Sequence, residues 1–255
     1  MYLDTHAHLT FPEYQIDLPA VIQRAKEAKV EAIINLALDD EAINRSIKLA
    51  EEYPGFIFNA IGIHPHDASE WNDNSYNNLK EIATKYKIVA IGETGLDYHY
   101  KLSPIEQQKA VFRNLLQLAQ ELDLPVIIHC REASQDTIVI LREENQGKLK
   151  GVLHCFGGDL TLGKAALDLG FYISFAGNIT FPKAEKIRSA AREIPLDKVL
   201  IETDCPFLAP QSWRGKRNEP AYVLEVAQKI AEVKGLPAEE VAIQTTRNAR
   251  DLFKL

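Results

Sequence analysis

The chain has 255 residues, 46% of them hydrophobic and 25% charged, and a formal net charge of −7. This is an ordinary globular composition, long enough to bury a core without disulfide staples. The acidic balance gives no support to a general nucleic-acid coat protein, which needs a broad basic surface, though it leaves room for a local basic patch, and no apolar run approaches the length of a bilayer span.

In chain order, short apolar runs alternate with longer amphipathic ones. A strand at Tyr2-Leu3 precedes a helix from Leu18 to Ala28, and strands follow at Ala32-Ile33-Ile34, Phe56-Ile57-Phe58 and Ile88-Val89-Ala90-Ile91. Ser103-Pro104-Ile105-Glu106 reads as a capping box opening a helix to Leu122, with Ser103 as N-cap and Pro104 at the first position. A strand at Val126-Ile127-Ile128 leads to a helix from Ala133 to Glu144, and Gly151-Val152-Leu153 to one from Leu162 to Leu169. Phe171-Tyr172-Ile173, a helix from Lys183 to Arg192 and Val199-Leu200-Ile201 come next, then helices at Tyr222–Val233 and Ala238–Phe253. Continuously apolar strands separated by helices predict a parallel α/β fold. Eight such strands favour a closed (β/α)8 TIM barrel over an open sheet, as a single domain spanning residues 1–255. No Gly-rich phosphate fingerprint follows the first strand, which argues against a dinucleotide fold.

The three Cys have no disulfide-like spacing, and no charged-then-apolar leader precedes the first strand. Both features predict a cytoplasmic protein with no membrane partner.

The chemistry-bearing residues fall just after the apolar runs. His6 and His8 follow the first strand, Glu93 the fourth and Asp204 the eighth, while His129 and His154 end the fifth and sixth. In a (β/α)8 barrel the C-terminal ends of the strands form the active-site face. Residues i and i+2 of a strand share a face, so His6 and His8 can reach one ion. A His-x-His pair alone is a weak signal, since a strand-end His is often a hydrogen-bonded rim residue, and Glu93 or Asp204 could each cap a helix. Four of the seven His and two acids at one rim point instead to a site for two divalent metal ions.

Other rim residues are candidates for substrate contact, each with a plainer alternative. His64, in His64-Pro65-His66, could shuttle a proton or sit in a rigid surface turn. Arg131 could grip a phosphate or pair at a helix start, and Arg214, Lys216 and Arg217 could bind phosphate or form a solvated loop. Cys130, Cys155 and Cys205 each follow a candidate ligand by one residue, so alternation turns them toward the helices as small buried hydrophobes.

These motifs resemble the TatD-type metal-dependent deoxyribonucleases of the amidohydrolase superfamily. The resemblance rests on Leu3-Asp4-Thr5-His6-Ala7-His8-Leu9, Gly62-Ile63-His64-Pro65-His66, Gly92-Glu93-Thr94-Gly95-Leu96-Asp97-Tyr98, Ile127-Ile128-His129-Cys130-Arg131, Leu153-His154-Cys155-Phe156-Gly157 and Glu202-Thr203-Asp204-Cys205-Pro206-Phe207-Leu208, followed by Arg214-Gly215-Lys216-Arg217-Asn218-Glu219-Pro220. It covers essentially the whole chain. Thr10 departs from it, standing where such sequences often carry Asp or Asn.

The resemblance implies that His6, His8, Glu93 and Asp204 hold one metal, that His129 and His154 hold the other, and that Glu93 bridges. It implies 3′–5′ exonuclease action on DNA, with RNA or aminoacyl-tRNA as other partners. A metal-activated hydroxide would attack phosphorus, helped by Asp204 and Glu93, with His64 or a water protonating the leaving oxygen. Mg, Mn and Zn are the candidate ions, and an imidazole-rich set favours Zn or Mn. A D-aminoacyl-tRNA ester hydrolase and a non-catalytic metal-binding scaffold are the rival readings, and a monomer suffices for all of them.

Overall fold

Among the residues described by the computed structural model, 1–145 and 147–255, eight strands form one parallel sheet in sequence order. They are β1 (Tyr2–Ala7), β2 (Val30–Ala37), β3 (Ile57–Ile61), β4 (Ile88–Asp97), β5 (Val126–Arg131), β6 (Gly151–Leu153), β7 (Tyr172–Phe175) and β8 (Val199–Ile201). The helices are α1 (Leu18–Glu27), α2 (Asp40–Glu52), α3 (Ser75–Lys85), α4 (Ile105–Leu122), α5 (Ser134–Glu144), α6 (Leu160–Asp168), α7 (Glu185–Glu193), α8 (Val223–Lys234) and α9 (Ala238–Phe253). Just beyond β8 the chain returns to β1. The Asp204 N–H donates to the His6 carbonyl at 2.9 Å and the His8 N–H to the Cys205 carbonyl at 2.9 Å. The sheet thus closes into the expected (β/α)8 barrel.

Every strand is buried on both faces. Leu3, Ile34, Phe58, Ile127, Val152 and Leu200 fill the barrel interior, and α9 seals its N-terminal end with Ala249, Leu252 and Phe253. Their chain neighbours Ile33, Ile57, Ile128, Leu153 and Ile201 face the helices in the larger outer core. This two-residue period sets the site, because a side chain two positions past an interior residue also points into the barrel. His129 stands two past Ile127, His154 two past Val152 and Glu202 two past Leu200.

One local expectation is corrected and two helices are added. Ser103 caps no helix: buried, its hydroxyl donates to the His66 carbonyl at 2.6 Å and accepts from the Ser69 N–H at 3.0 Å. It braces the loop after β3, and α4 begins behind Pro104 without a side-chain cap. Helices α2 and α3, unread from the sequence, fill the connections after β2 and β3. Asp39 caps α2 by accepting from the Ala42 N–H at 2.7 Å, whereas α3 is largely polar and buries only Leu79.

Candidate metal centre

At the C-terminal mouth of the barrel the six residues expected to ligate metal converge around Glu93. Nε2 of His6 lies 3.1 Å from Nε2 of His8, 3.3 Å from Glu93 Oε2 and 3.6 Å from Asp204 Oδ1. Nε2 of His8 lies 3.8 Å from the same Glu93 oxygen and 3.5 Å from the same Asp204 oxygen. Both rings thus bring Nε2 within 4 Å of oxygens of both carboxylates, a donor set that suits a divalent cation. On the other side, Glu93 Oε1 lies 2.9 Å from His129 Nδ1 and 2.7 Å from His154 Nε2, and those two nitrogens are 3.2 Å apart. Glu93 therefore turns one oxygen to each group. The strands approach closely here: a Cβ on Gly95, at φ +135°, would lie 2.0 Å from the His129 carbonyl oxygen. Asp204 sits in a left-handed turn at φ +55°, which Asp tolerates better than most residues.

A carboxylate stands behind each ring of the second group. Asp97 Oδ2 accepts from His66 Nε2 at 2.9 Å and from His129 Nε2 at 3.2 Å. With its proton on Nε2, His129 aims a bare Nδ1 lone pair at Glu93. His154 places Nδ1 3.3 Å from the buried Glu202 Oε1, which turns its Nε2 to the same point. Lone pairs and a carboxylate oxygen at these distances require positive charge between them, from protons or from a cation. The residues present therefore fit a metal. His64 differs: its Nδ1 accepts from the His66 N–H at 3.1 Å, so its neutral ring carries the proton on Nε2, 3.4 Å from Glu93 Oε1. His64 is thus a donor toward the site, although its position would also suit a ligand.

The electrostatics agree. Burial opposes the negative charge of Glu93, yet His154, His64 and His6 hold its carboxyl well below the usual range. Asp204 is held low against burial by His8, His6 and His154. His154 is raised well above the ordinary imidazole range by Glu93 and Glu202, against burial. For His64 burial prevails over Glu93 and keeps the ring neutral. Asp4 ties the two ends of the cluster together, with Oδ1 accepting from the Thr203 N–H at 2.9 Å and the His6 N–H at 3.3 Å.

A cleft of about 750 Å³ lies over the cluster. Of the four basic residues expected to meet substrate, Arg131 lines this cleft and the other three stand apart from it. The Arg217 guanidinium is taken by Asp17 at 2.7 and 2.8 Å and by Glu219 at 3.0 Å. Arg214 lies over the Phe181 ring and Lys216 over the Trp213 ring. The expectation for the thiols holds for the fully buried Cys205 and in part for Cys130, which turns toward α5 and accepts from Thr137 at 3.3 Å but is only half-buried and also lines the cleft. It fails for Cys155, which lines the cleft because β6 has ended and its own backbone is left-handed at φ +44°. Burial raises all three thiols, so none is a ready nucleophile.

Asp97 and Glu202 were missed as functional residues. Glu202 was legible as the inward position two past Leu200, but Asp97 needed the fold to bring it under His66 and His129.

Residues 3–254 match the model of the family described as TatD related DNase. The chain is 48% identical over 255 residues to the uncharacterized metal-dependent hydrolase YabD of Bacillus subtilis, covering 100% of both. It is 37% identical over 257 residues to the 3′-5′ ssDNA/RNA exonuclease TatD of Erwinia tasmaniensis, covering 99% of both. Its fold superposes with a TM-score of 0.93 on the crystal structure of YJJV, a TatD homolog from Escherichia coli, at 33% identity over 100% of this chain and 98% of that one.

Proposed function

We propose that this chain, which belongs to the TatD-related family of metal-dependent hydrolases, removes nucleotides from the 3′ end of single-stranded DNA or RNA. The observation that carries the reading is Glu93, whose two oxygens serve two separate groups of donors at one barrel mouth. Such a pair of sites matches a two-metal phosphodiesterase. His6, His8, Glu93 and Asp204 would hold one divalent ion, and Glu93, His129 and His154 the other. The imidazole donors suit Zn or Mn better than Mg. Bound divalent ions supply an activated nucleophile at neutral pH and neutralise charge developing on phosphoryl oxygens.

The chain's own groups do the rest. Asp204, held ionised, accepts a hydrogen bond from the attacking water and orients it. Neutral His64 lines the cleft with its Nε2–H and donates a hydrogen bond to the leaving 3′-oxygen, whose proton comes from water. Arg131 presents its guanidinium from the cleft wall to a non-bridging phosphate oxygen. The three free thiols are in keeping with a reducing cytoplasm.

The deciding experiment is a cleavage assay on single-stranded DNA labelled separately at each end, using metal-stripped protein refilled with Mg, Mn or Zn. Metal-dependent loss of the 3′ label, abolished by Asp204→Ala, is the expected result. Intact DNA with every metal, from folded protein that still binds the ions, would overturn the nuclease reading and send the search to aminoacyl-tRNA esters.

A further inference from the structure

Among the described residues only two aromatic side chains stand largely in solvent, Tyr100 at 54% and Phe207 at 50%, and both line the cleft over the metal centre. Two rings left half wet at one mouth form an arrangement that binding explains better than folding does.

Each ring is mounted on an anchored backbone. The Phe207 carbonyl accepts from Asn218 Nδ2 at 2.6 Å, and fully buried Asn218 also donates to the Thr203 carbonyl at 2.8 Å. Phe11 backs the ring edge-on at 5.9 Å. The Tyr100 N–H donates to Asp97 Oδ1 at 2.8 Å, and the Arg131 guanidinium lies 4.7 Å from its ring centre. Held in place before any ligand arrives, both rings bind with little further ordering cost.

Their placement follows from the strand order. Phe11 and Phe207 lie on the loops after β1 and β8, while Tyr100 lies on the loop after β4 and Arg131 is the last residue of β5. In a closed barrel of sequential strands these pairs are diametrically opposed, with the metal centre between them.

We propose that Phe207, backed by Phe11, and Tyr100, backed by Arg131, are two base-stacking platforms on opposite sides of the reacting phosphate. They take the two nucleobases flanking the scissile bond. The inference rests on the nuclease reading and deepens it. Any base has a π-face, so such platforms are tolerant of sequence. Adjacent bases in a duplex stack on each other, so reaching opposite walls requires them to splay apart, which an unpaired strand does readily and a helix resists. The platforms thereby restrict the substrate to a single strand.

The test uses metal-loaded enzyme and hydrolysis-resistant phosphorothioate oligonucleotides carrying 2-aminopurine at the last or the second-last position. This base loses fluorescence when stacked. The wild type should quench the probe at both positions, Phe207→Ala should lose quenching at one, and Tyr100→Ala should lose it at the other. Replacing either base by an abasic residue should weaken wild-type binding about 5-fold or more, and by about 2-fold or less in the variant lacking the matching platform. Both side chains are exposed, so the variants should keep the wild-type circular dichroism spectrum. Bound probe that stays bright, or abasic strands that bind as tightly as normal ones, would overturn the platforms. If ordinary single-stranded DNA is still cleaved in that case, the nuclease reading survives. A wild-type enzyme that neither binds nor cleaves the strands overturns both.

Discussion

Asp97 Oδ2 stands 3.2 Å from Nε2 of His129, and that contact decides which ring nitrogen faces Glu93. It follows that Asp97→Asn, nearly isosteric, keeps one acceptor oxygen for donors on two sides, the His66 and His129 rings and the His99 and Tyr100 N–H groups, and with its NH2 turned to the rings it drives His129 to the wrong tautomer. Metal affinity at the Glu93–His129–His154 group should fall about 10- to 100-fold. Competition against a chromogenic chelator measures it, and unchanged affinity would show that Asp97 does not set the ring.

Glu93→Gln keeps the shape but removes the charge that both groups share. Metal content by elemental analysis should drop from two equivalents to one or none, and turnover should fall by at least about 100-fold, as for loss of a preorganised electrostatic group. Two retained ions would deny Glu93 its bridging place.

Metal should stabilise the fold as any ligand of the native state does. At free metal 100 times the dissociation constant the gain is about 2.7 kcal/mol, which for a chain of this size raises the Tm by about 5–10 °C. Calorimetry with and without EDTA checks this. His6→Ala and His129→Ala, which strike different donor groups, should each remove part of the increment.

Protons compete for the same centre. Burial disfavours charge on His154, but Glu93 and Glu202 raise it well above the ordinary imidazole range, so without metal it is protonated at neutral pH. Metal binding must therefore expel protons, and apparent affinity rises with pH up to the folded value of His154 and falls as pH drops. Titration calorimetry in buffers of different ionisation enthalpy should report proton release at pH 7. A buffer-independent enthalpy would contradict it.

Arg217 and Arg131 should separate. Arg217→Ala breaks pairs to Asp17 and Glu219, costing about 1 kcal/mol of stability, or about 2–4 °C in Tm. Hydrogen bonds from Arg217 hold the Asp17 carboxyl below its usual value. That contribution is complete above the unfolded carboxyl pKa of about 3.9 and is lost as pH falls through the folded value. Arg131→Ala should leave Tm within about 1 °C, as surface changes do, and raise KM. The reverse pattern would return the phosphate contact to Arg217.

Much of this protein is legible without its structure, for a physical reason. A barrel strand is buried on both faces and so reads as a short apolar run, and its active face lies at the strand ends, so His6, His8, Glu93, His129, His154 and Asp204 declare themselves by position. Local patterning was weaker where it competed with tertiary contacts. Ser103 looked like a cap but braces the His66 carbonyl, and α3 hid because it buries only Leu79. What only the tertiary structure decided are contacts between residues far apart in the chain. Asp97 fixes the His129 tautomer across 32 positions, and Arg217 turns from the cleft to Asp17 across 200. Phe207 and Tyr100 come to line one cleft, from the loops after β8 and β4, only when the eighth strand closes on the first.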